Sequence, residues 1–170
     1  LAGADAVVFV ADSQRSAFKE NIQAFENMKV NLLANRLVPE KVPLVLQWNK
    51  QDLADVTPDP ELQKALNFGG RKTQKAVAAR GQGVLETFVA VVQEMLLAIA
   101  VKYNLKEKGL DPSSVPQVVE QAFADITRKA AVALPPPASE AEAPSVGGSP
   151  ARVILSQAGE RSFVILDEVG

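Results

Sequence analysis

The tetrapeptide Asn49-Lys50-Gln51-Asp52 carries the residue types of this chain that are best suited to reading a ligand. It follows the apolar run Pro43 to Trp48, which predicts a buried β-strand with a polar loop at its carboxyl end. Guanine presents N1–H and the exocyclic N2–H₂ group side by side, and the two oxygens of the Asp52 carboxylate match that donor pair. Adenine has no such pair and would leave the carboxylate without a partner. The loop is therefore predicted to recognise guanine.

Two neighbours of Asp52 extend this interpretation. The Asn49 amide can donate to guanine N7 and can also brace the loop. The apolar stem of Lys50 can lie over the face of the base while its ammonium group stays in polar surroundings. An ordinary polar turn after a strand is the alternative, since average residue usage places an Asn-Lys-x-Asp in roughly 2% of chains of this length.

A second candidate loop lies in the segment AVAARGQGVLETF, from Ala76 to Phe88. Residues 76–79 are predicted to form a short third strand, and Gly81 and Gly83 break the chain before a long helix. A backbone N–H at Ala78 or Ala79 can donate to guanine O6, a contact that the amino group of adenine would refuse. A plain turn from strand to helix is the alternative.

The elements that position these loops follow from hydrophobic periodicity. Asp5 to Ala11 predicts a first buried strand, and Asp12 and Ser13 are expected to cap the helix after it. That helix has apolar residues at spacings of three and four, namely Phe18, Ile22, Phe25, Met28, Leu32 and Leu33. Asp59 is expected to cap a short helix with Pro60 at its first position. With a long helix from Leu85 to Tyr103, the pattern predicts an α/β fold whose three parallel strands are covered on both faces.

Composition excludes several kinds of chemistry. The chain has 170 residues, 47% of them hydrophobic, and neither Cys nor His. Disulfides and thiol nucleophiles are therefore impossible. Imidazole groups, whether as catalytic bases or as metal ligands, are excluded too. The net charge of −2 does not indicate a nucleic-acid surface. The apolar stretch Val84 to Val101 is broken by Glu86, Gln93 and Glu94 and is predicted to be too polar for a transmembrane segment. With no signal peptide expected at Leu1, a cytoplasmic location is predicted.

The character of the sequence changes after residue 103. Residues 104–133 are predicted to form a helical extension, with a capping box at Ser114 and Gln117 and a short helix marked by Val119, Phe123 and Ile126. Residues 134–150, rich in Pro, Ala, Ser and Gly, are predicted to be a disordered linker. Residues 151–170 contain two apolar runs around Gly159 and can form a β-hairpin tail.

These motifs resemble those of the Ras-like small GTPases. NKQD matches that superfamily's NKxD base-specificity motif in full. VAARGQGV matches its SAK-type loop in part, with Ala78 at the central Ala and Val77 and Ala79 where Ser and Lys are usual. GADAVVFVADSQ, PLVLQWNKQDL and GVLETF resemble the bacterial gliding-motility and cell-polarity GTPases of the mutual gliding protein type. The likeness covers about residues 1–103.

The resemblance implies the C-terminal half of a Ras-like P-loop GTPase domain, in which residues 1–103 form a partial domain without phosphate loop or switches. No GxxxxGK[ST] motif occurs, and Phe68 to Gln74 is interpreted as a solvated basic loop rather than a phosphate site. A truncated gene or gene fragment is the favoured explanation. The guanine site comprises Asn49, Lys50, Asp52, Ala78 and Ala79, and no catalytic residue or metal ligand is assigned.

The function that the resemblance implies is a GTP-binding molecular switch in bacterial cell polarity or gliding motility. The intact protein would hydrolyse GTP to GDP with magnesium, whose ligands lie outside this chain. A roadblock-type activating protein and effector proteins are the implied partners. One alternative is a non-catalytic, partner-binding scaffold derived from a GTPase. Another is that the terminal hairpin is the functional part.

Overall fold

The computed structural model describes residues 3–133, 153–158 and 161–166. Nine helices and strands are assigned in this part of the chain, and four 3₁₀ turns lie between them. The helices and strands are, in order, β1 (Ala4–Asp12), α1 (Phe18–Ala34), β2 (Leu44–Asn49), α2 (Asp59–Leu66), β3 (Lys72–Lys75), α3 (Val84–Lys102), α4 (Val115–Ala133), β4 (Val153–Ala158) and β5 (Arg161–Leu166). The turns are Arg15–Ala17, Ala78–Arg80, Leu105–Lys108 and Pro112–Ser114. The predicted linker, 134–150, lies outside the described residues.

The strands form one sheet in the order β3-β2-β1-β5-β4. β1, β2 and β3 are parallel, which confirms the predicted α/β class and its three parallel strands. β1 and β2 pair in register from Val7 opposite Leu44 to Asp12 opposite Asn49. Because both strands end together, Asp12 and Asn49 lie at the same edge of the sheet, which is where ligands bind in α/β folds of this kind.

Apolar side chains cover both faces of β1 and β2, as predicted from their continuous apolar runs. On one face Val7, Phe9 and Trp48 pack against α1 and α2, with the Phe9 and Phe25 rings edge to face at 4.8 Å. On the other face Ala6, Val8, Val10 and Val45 pack against Ala90 and Val91 of α3. The two clusters hold the carboxyl ends of β1 and β2 in fixed positions.

The predicted position of the third strand is wrong. β3 is Lys72–Lys75, whereas Ala78–Arg80 forms a 3₁₀ turn. β3 lies at the edge of the sheet with β2 as its neighbour, so its polar side chains can remain partly in water and carry no apolar pattern. The interpretation of residues 68–74 as a solvated loop is also wrong in part. Besides contributing to β3, they include Arg71, whose guanidinium donates to the carbonyls of residues 39, 40 and 42.

Two predicted helix starts also differ. Asp12 belongs to β1, and α1 begins at Phe18 after a 3₁₀ turn with no side-chain cap. α2 begins at Asp59 with Pro58 at the capping position, one residue earlier than expected. Leu33 is 58% exposed, because the buried stripe of α1 runs through Phe25, Met28 and Leu32.

The 3₁₀ turn Pro112–Ser114, which precedes α4, is capped by Asp111, and the capping box of Ser114 and Gln117 stays a prediction. The Asp111 carboxylate accepts from the Ser113 N–H at 3.0 Å, and the Ser114 hydroxyl donates to the Asp111 carbonyl at 2.7 Å. The hydrogen bonds from Ser113 hold the pKa of Asp111 below its usual value. α4 then runs for 19 residues, longer than the short helix expected. Its length fits its packing along α3, where Phe88 and Phe123 meet edge to face at 5.6 Å.

α3 is the one helix of residues 3–133 that is long and apolar enough to cross a membrane by length and composition. A core helix of a soluble protein meets the same criteria, and α3 buries Ala90 and Val91 against the sheet. The predicted lack of a transmembrane segment therefore stays a prediction.

The hairpin of β4 and β5 extends the sheet, because β5 pairs in parallel with β1. Removal of residues 134–170 is expected to make the chain self-associate, since β1 would then present unpaired N–H and C=O groups along an apolar edge. The substitution Val164→Pro, opposite Val7, removes one ladder donor and should act in the same direction. Light scattering measures the self-association of the truncated chain and of the Val164→Pro variant. Monodisperse monomers with cooperative melting for both variants would show that β5 does not protect the edge.

Candidate guanine-binding site

The two loops singled out by sequence meet at the carboxyl edge of the sheet. The Ala76 N–H donates to the Trp48 carbonyl at 2.8 Å and continues the ladder between β2 and β3. The Gln51 N–H donates to the Ala76 carbonyl at 3.1 Å. These backbone bonds join loop 49–52 to the segment that leads into the 3₁₀ turn Ala78–Arg80.

Asn49 braces the two loops through its side chain. It is the buried last residue of β2, and its Oδ1 accepts from the Ala78 N–H at 2.9 Å. The Ala78 N–H therefore already has a partner, which differs from the prediction that it could face guanine O6. The Ala79 N–H lies early in a single 3₁₀ turn, where N–H groups have no acceptor within the helix.

Lys50 makes an ion pair that sequence did not predict. Its Nζ lies 2.7 Å from Oδ2 of Asp12, whose side chain is 4% exposed. Oδ1 of the same carboxylate accepts from the Gln14 N–H at 2.8 Å. The Lys50 backbone has a positive φ of 61°, a conformation that a non-glycine residue adopts at some energetic cost. The ion pair fixes the direction of the Lys50 stem.

Further polar contacts hold Asp12 and the loop in place. Asn21 of α1 accepts from the Asp12 N–H at 3.1 Å and donates to the Asp12 carbonyl at 2.7 Å. The Gln51 side chain donates to the Ser13 hydroxyl at 2.6 Å. Sequence reasoning assigned Asp12 and Ser13 to helix capping. Both residues come at the end of β1, and this position in the sequence could have indicated that they lie beside the loop after β2.

Asp52 faces the other loop. Its Oδ2 lies 3.4 Å from Nη2 of Arg80, and the two side chains are 28% and 40% exposed. Arg80 was not among the predicted site residues. The structure thus brings Asp52 next to the turn that contains Ala78 and Ala79.

The position of that turn depends on close backbone packing at Gly83. Gly83 precedes α3 with a φ of 75°, and a Cβ there would overlap the Lys75 carbonyl oxygen and lie 2.8 Å from the Ala76 Cα. Val77 and Gln82 exchange two backbone hydrogen bonds, at 3.0 and 3.2 Å, and close the loop between them. A side chain at residue 83 would push α3 away from the end of β3.

The arrangement offers a carboxylate, a lysine stem and backbone N–H groups around one edge, which suits a flat base with adjacent donors and acceptors. Among residues 3–133, 153–158 and 161–166, no group of three or more acidic residues is placed to hold a metal ion. The carboxylate and N–H groups at this edge fit recognition of a base.

Comparisons with known proteins agree with the motifs. No family model matches the chain. The chain is 41% identical over 96 residues to the mutual gliding-motility protein MglA of Myxococcus xanthus strain DK1622. The match covers 56% of this chain and 49% of MglA, so the chain spans about half the length of the curated relative it matches. Over that part of the chain, the predicted resemblance to the Ras-like small GTPases of the mutual gliding protein type is therefore confirmed.

Proposed function

We propose that this chain carries the guanine-recognition part of a GTP-binding molecular switch. The observation that supports the proposal most is the Asn49–Ala78 hydrogen bond of 2.9 Å, which fastens the NKQD loop to the second loop at one edge of the sheet. Two motifs that are 29 residues apart in sequence thus form a single surface. The 41% identity to MglA over 96 residues supports the same reading.

In this proposal each base contact has a named group. The Asp52 carboxylate accepts from guanine N1–H and N2–H₂, and the Ala79 N–H donates to O6. Asn49 holds the second loop through Oδ1 and leaves its amide nitrogen for N7. Lys50 lies against the face of the base with its ammonium paired to Asp12.

GTP hydrolysis is part of the proposal for the whole protein, not for these loops. Phosphoryl transfer in P-loop enzymes depends on a phosphate-binding loop, its Lys and magnesium. The 170 residues contain no GxxxxGK[ST] motif, and the described residues include no group of three or more acidic side chains placed to hold a metal ion. The role of this chain in the reaction is therefore to select and hold the base of GTP or GDP.

The cellular setting follows from the relative. MglA is named a mutual gliding-motility protein, and we propose a role in gliding motility or cell polarity for this chain as well. A cytoplasmic location, a roadblock-type activating protein and effector proteins complete the proposal.

Titration with guanosine, adenosine and GDP tests this function by nuclear magnetic resonance (NMR). We expect guanosine to bind at millimolar concentrations and adenosine to bind more weakly. GDP should bind about as weakly as guanosine, because the loops contact the base and the chain has no phosphate loop. Equal binding of guanosine and adenosine would contradict recognition of the base. A sub-micromolar dissociation constant for GDP would show that the chain also binds the phosphates.

A second candidate is a partner-binding scaffold derived from a GTPase. The observation that favours it is the parallel pairing of β5 with β1, at the side where a complete Ras-like sheet has its first strand. A sheet completed by its own C-terminal hairpin does not need that strand to cover its edge. The guanosine titration separates the candidates, because a scaffold has no reason to retain a preference for guanine.

A further inference from the structure

We propose that Arg80 is a built-in competitor for guanine at Asp52 and thereby lowers the affinity of the site for its base. The proposal rests on the proposed guanine site. The guanidinium of Arg80 lies at the Asp52 carboxylate, with Nη2 3.4 Å from Oδ2. A base that uses these oxygens must first displace Arg80.

The chemistry of the two competitors is alike. A guanidinium presents neighbouring N–H donors in one plane, a geometry that suits the two oxygens of a carboxylate. Guanine presents N1–H and N2–H₂ in the same way. Arg80 is therefore the ion-pair partner of Asp52 when no base is bound, and a base without adjacent donors offers the carboxylate no equivalent replacement. Adenine would have to break the ion pair between Arg80 and Asp52 without presenting adjacent donors to the carboxylate.

The surroundings of the pair allow this exchange. Arg80 is 40% and Asp52 28% exposed in their side chains, so the guanidinium can rotate into water. The backbone of the turn is fixed, since the Arg80 N–H donates to the Val77 carbonyl at 2.9 Å and Val77 is bonded to Gln82. Displacement thus requires a rotation of one side chain and no movement of the loop. The other cation of the site, Lys50, is paired with Asp12.

The exchange has an unusual salt dependence. Guanosine carries no charge, so salt should not screen its own contact with Asp52. Salt does weaken the exposed pair between Arg80 and Asp52. Guanosine affinity should therefore increase as sodium chloride is raised, and this increase should vanish when the guanidinium is removed.

The test is a guanosine titration followed by NMR on the full chain, at low and high sodium chloride. Arg80→Ala and Arg80→Met, which keeps an apolar stem, should each bind guanosine about two- to five-fold more tightly at low salt and lose the salt effect. The preference for guanosine over adenosine should stay the same, because breaking the ion pair costs the same free energy for either base. Arg15→Ala is the matched control, because Arg15 is an exposed cation that pairs with Asp55 and Glu61 instead.

The outcomes separate the two proposals. If the Arg80 variants bind guanosine as the original chain does, with the same salt dependence, Arg80 does not compete and the guanine site still stands. If they bind more weakly, Arg80 assists the base and the competitor role is wrong. If neither the chain nor the variants prefer guanosine over adenosine, the proposed guanine site fails, and the role of Arg80 fails with it.

Discussion

Asp52→Asn is expected to abolish detectable guanosine binding and to create binding of xanthosine. The substitution replaces one acceptor oxygen that faces N1–H and N2–H₂ with an amide donor. Loss of a charge-assisted hydrogen bond should weaken guanosine by about 1.5–3 kcal/mol. Xanthine has a carbonyl where guanine has N2–H₂, so the new amide donor meets an acceptor. Parallel titrations of the variant with guanosine and xanthosine, followed by NMR, measure the change in preference.

Asp55→Asn provides the matched control for this experiment. It removes a carboxylate from the same region of the surface, but Asp55 is 82% exposed in its side chain and pairs with Arg15. The control should leave the ratio of guanosine to xanthosine affinity unchanged. If the ratio of guanosine to xanthosine affinity is also unchanged in Asp52→Asn, Asp52 does not contact the base.

Gly83→Ala is expected to lower the free energy of unfolding by about 2–5 kcal/mol, the sum of a left-handed backbone penalty and a steric overlap. The φ of Gly83 is 75°, and its Cβ would overlap the Lys75 carbonyl oxygen. Urea unfolding followed by the fluorescence of Trp48 measures the effect. Trp48 is the one tryptophan of the chain and is 1% exposed, so its emission reports the loss of the core next to the site.

Gly109→Ala separates the two contributions. Gly109 also has a positive φ, 92°, but a Cβ there meets nothing within 4 Å. It should lower the stability by the backbone penalty alone, about 1–2 kcal/mol. If the two variants are equally stable, the close approach of α3 to the end of β3 does not hold the second loop in place.

The strands with continuous apolar runs were predictable from the sequence, and β3 was not. β1 and β2 are buried on both faces, so most of their residues are apolar and form continuous runs in the sequence. β3 is a short edge strand of polar residues, and hydrophobic periodicity gives no signal for it. The predicted strand was placed on the apolar residues 76–79 instead, a few positions too late.

The site was predictable in its residue types but not in its pairings. The sequence order of Asn49 and Asp52 sufficed to suggest a base, because the hypothesis needed only the end of one strand. The ion pair of Lys50 with Asp12 joins residues 38 positions apart, and it depends on the register between β1 and β2. The contact of Arg80 with Asp52 likewise depends on how the second loop folds back. Neither of these two distances can be inferred from the spacing of the residues in the sequence.

The most direct test of the central claim is to map guanosine binding onto the backbone amides of the full chain by ¹⁵N NMR. We expect guanosine to shift the amide signals of residues 49–52 and 77–81, and adenosine at the same concentration to leave most of them unchanged. The amides of the 3₁₀ turn Leu105–Lys108, which follows the end of α3 opposite to the second loop, serve as the internal reference. Shifts of equal size with both nucleosides, or shifts confined to other parts of the chain, would contradict the claim that these two loops read guanine.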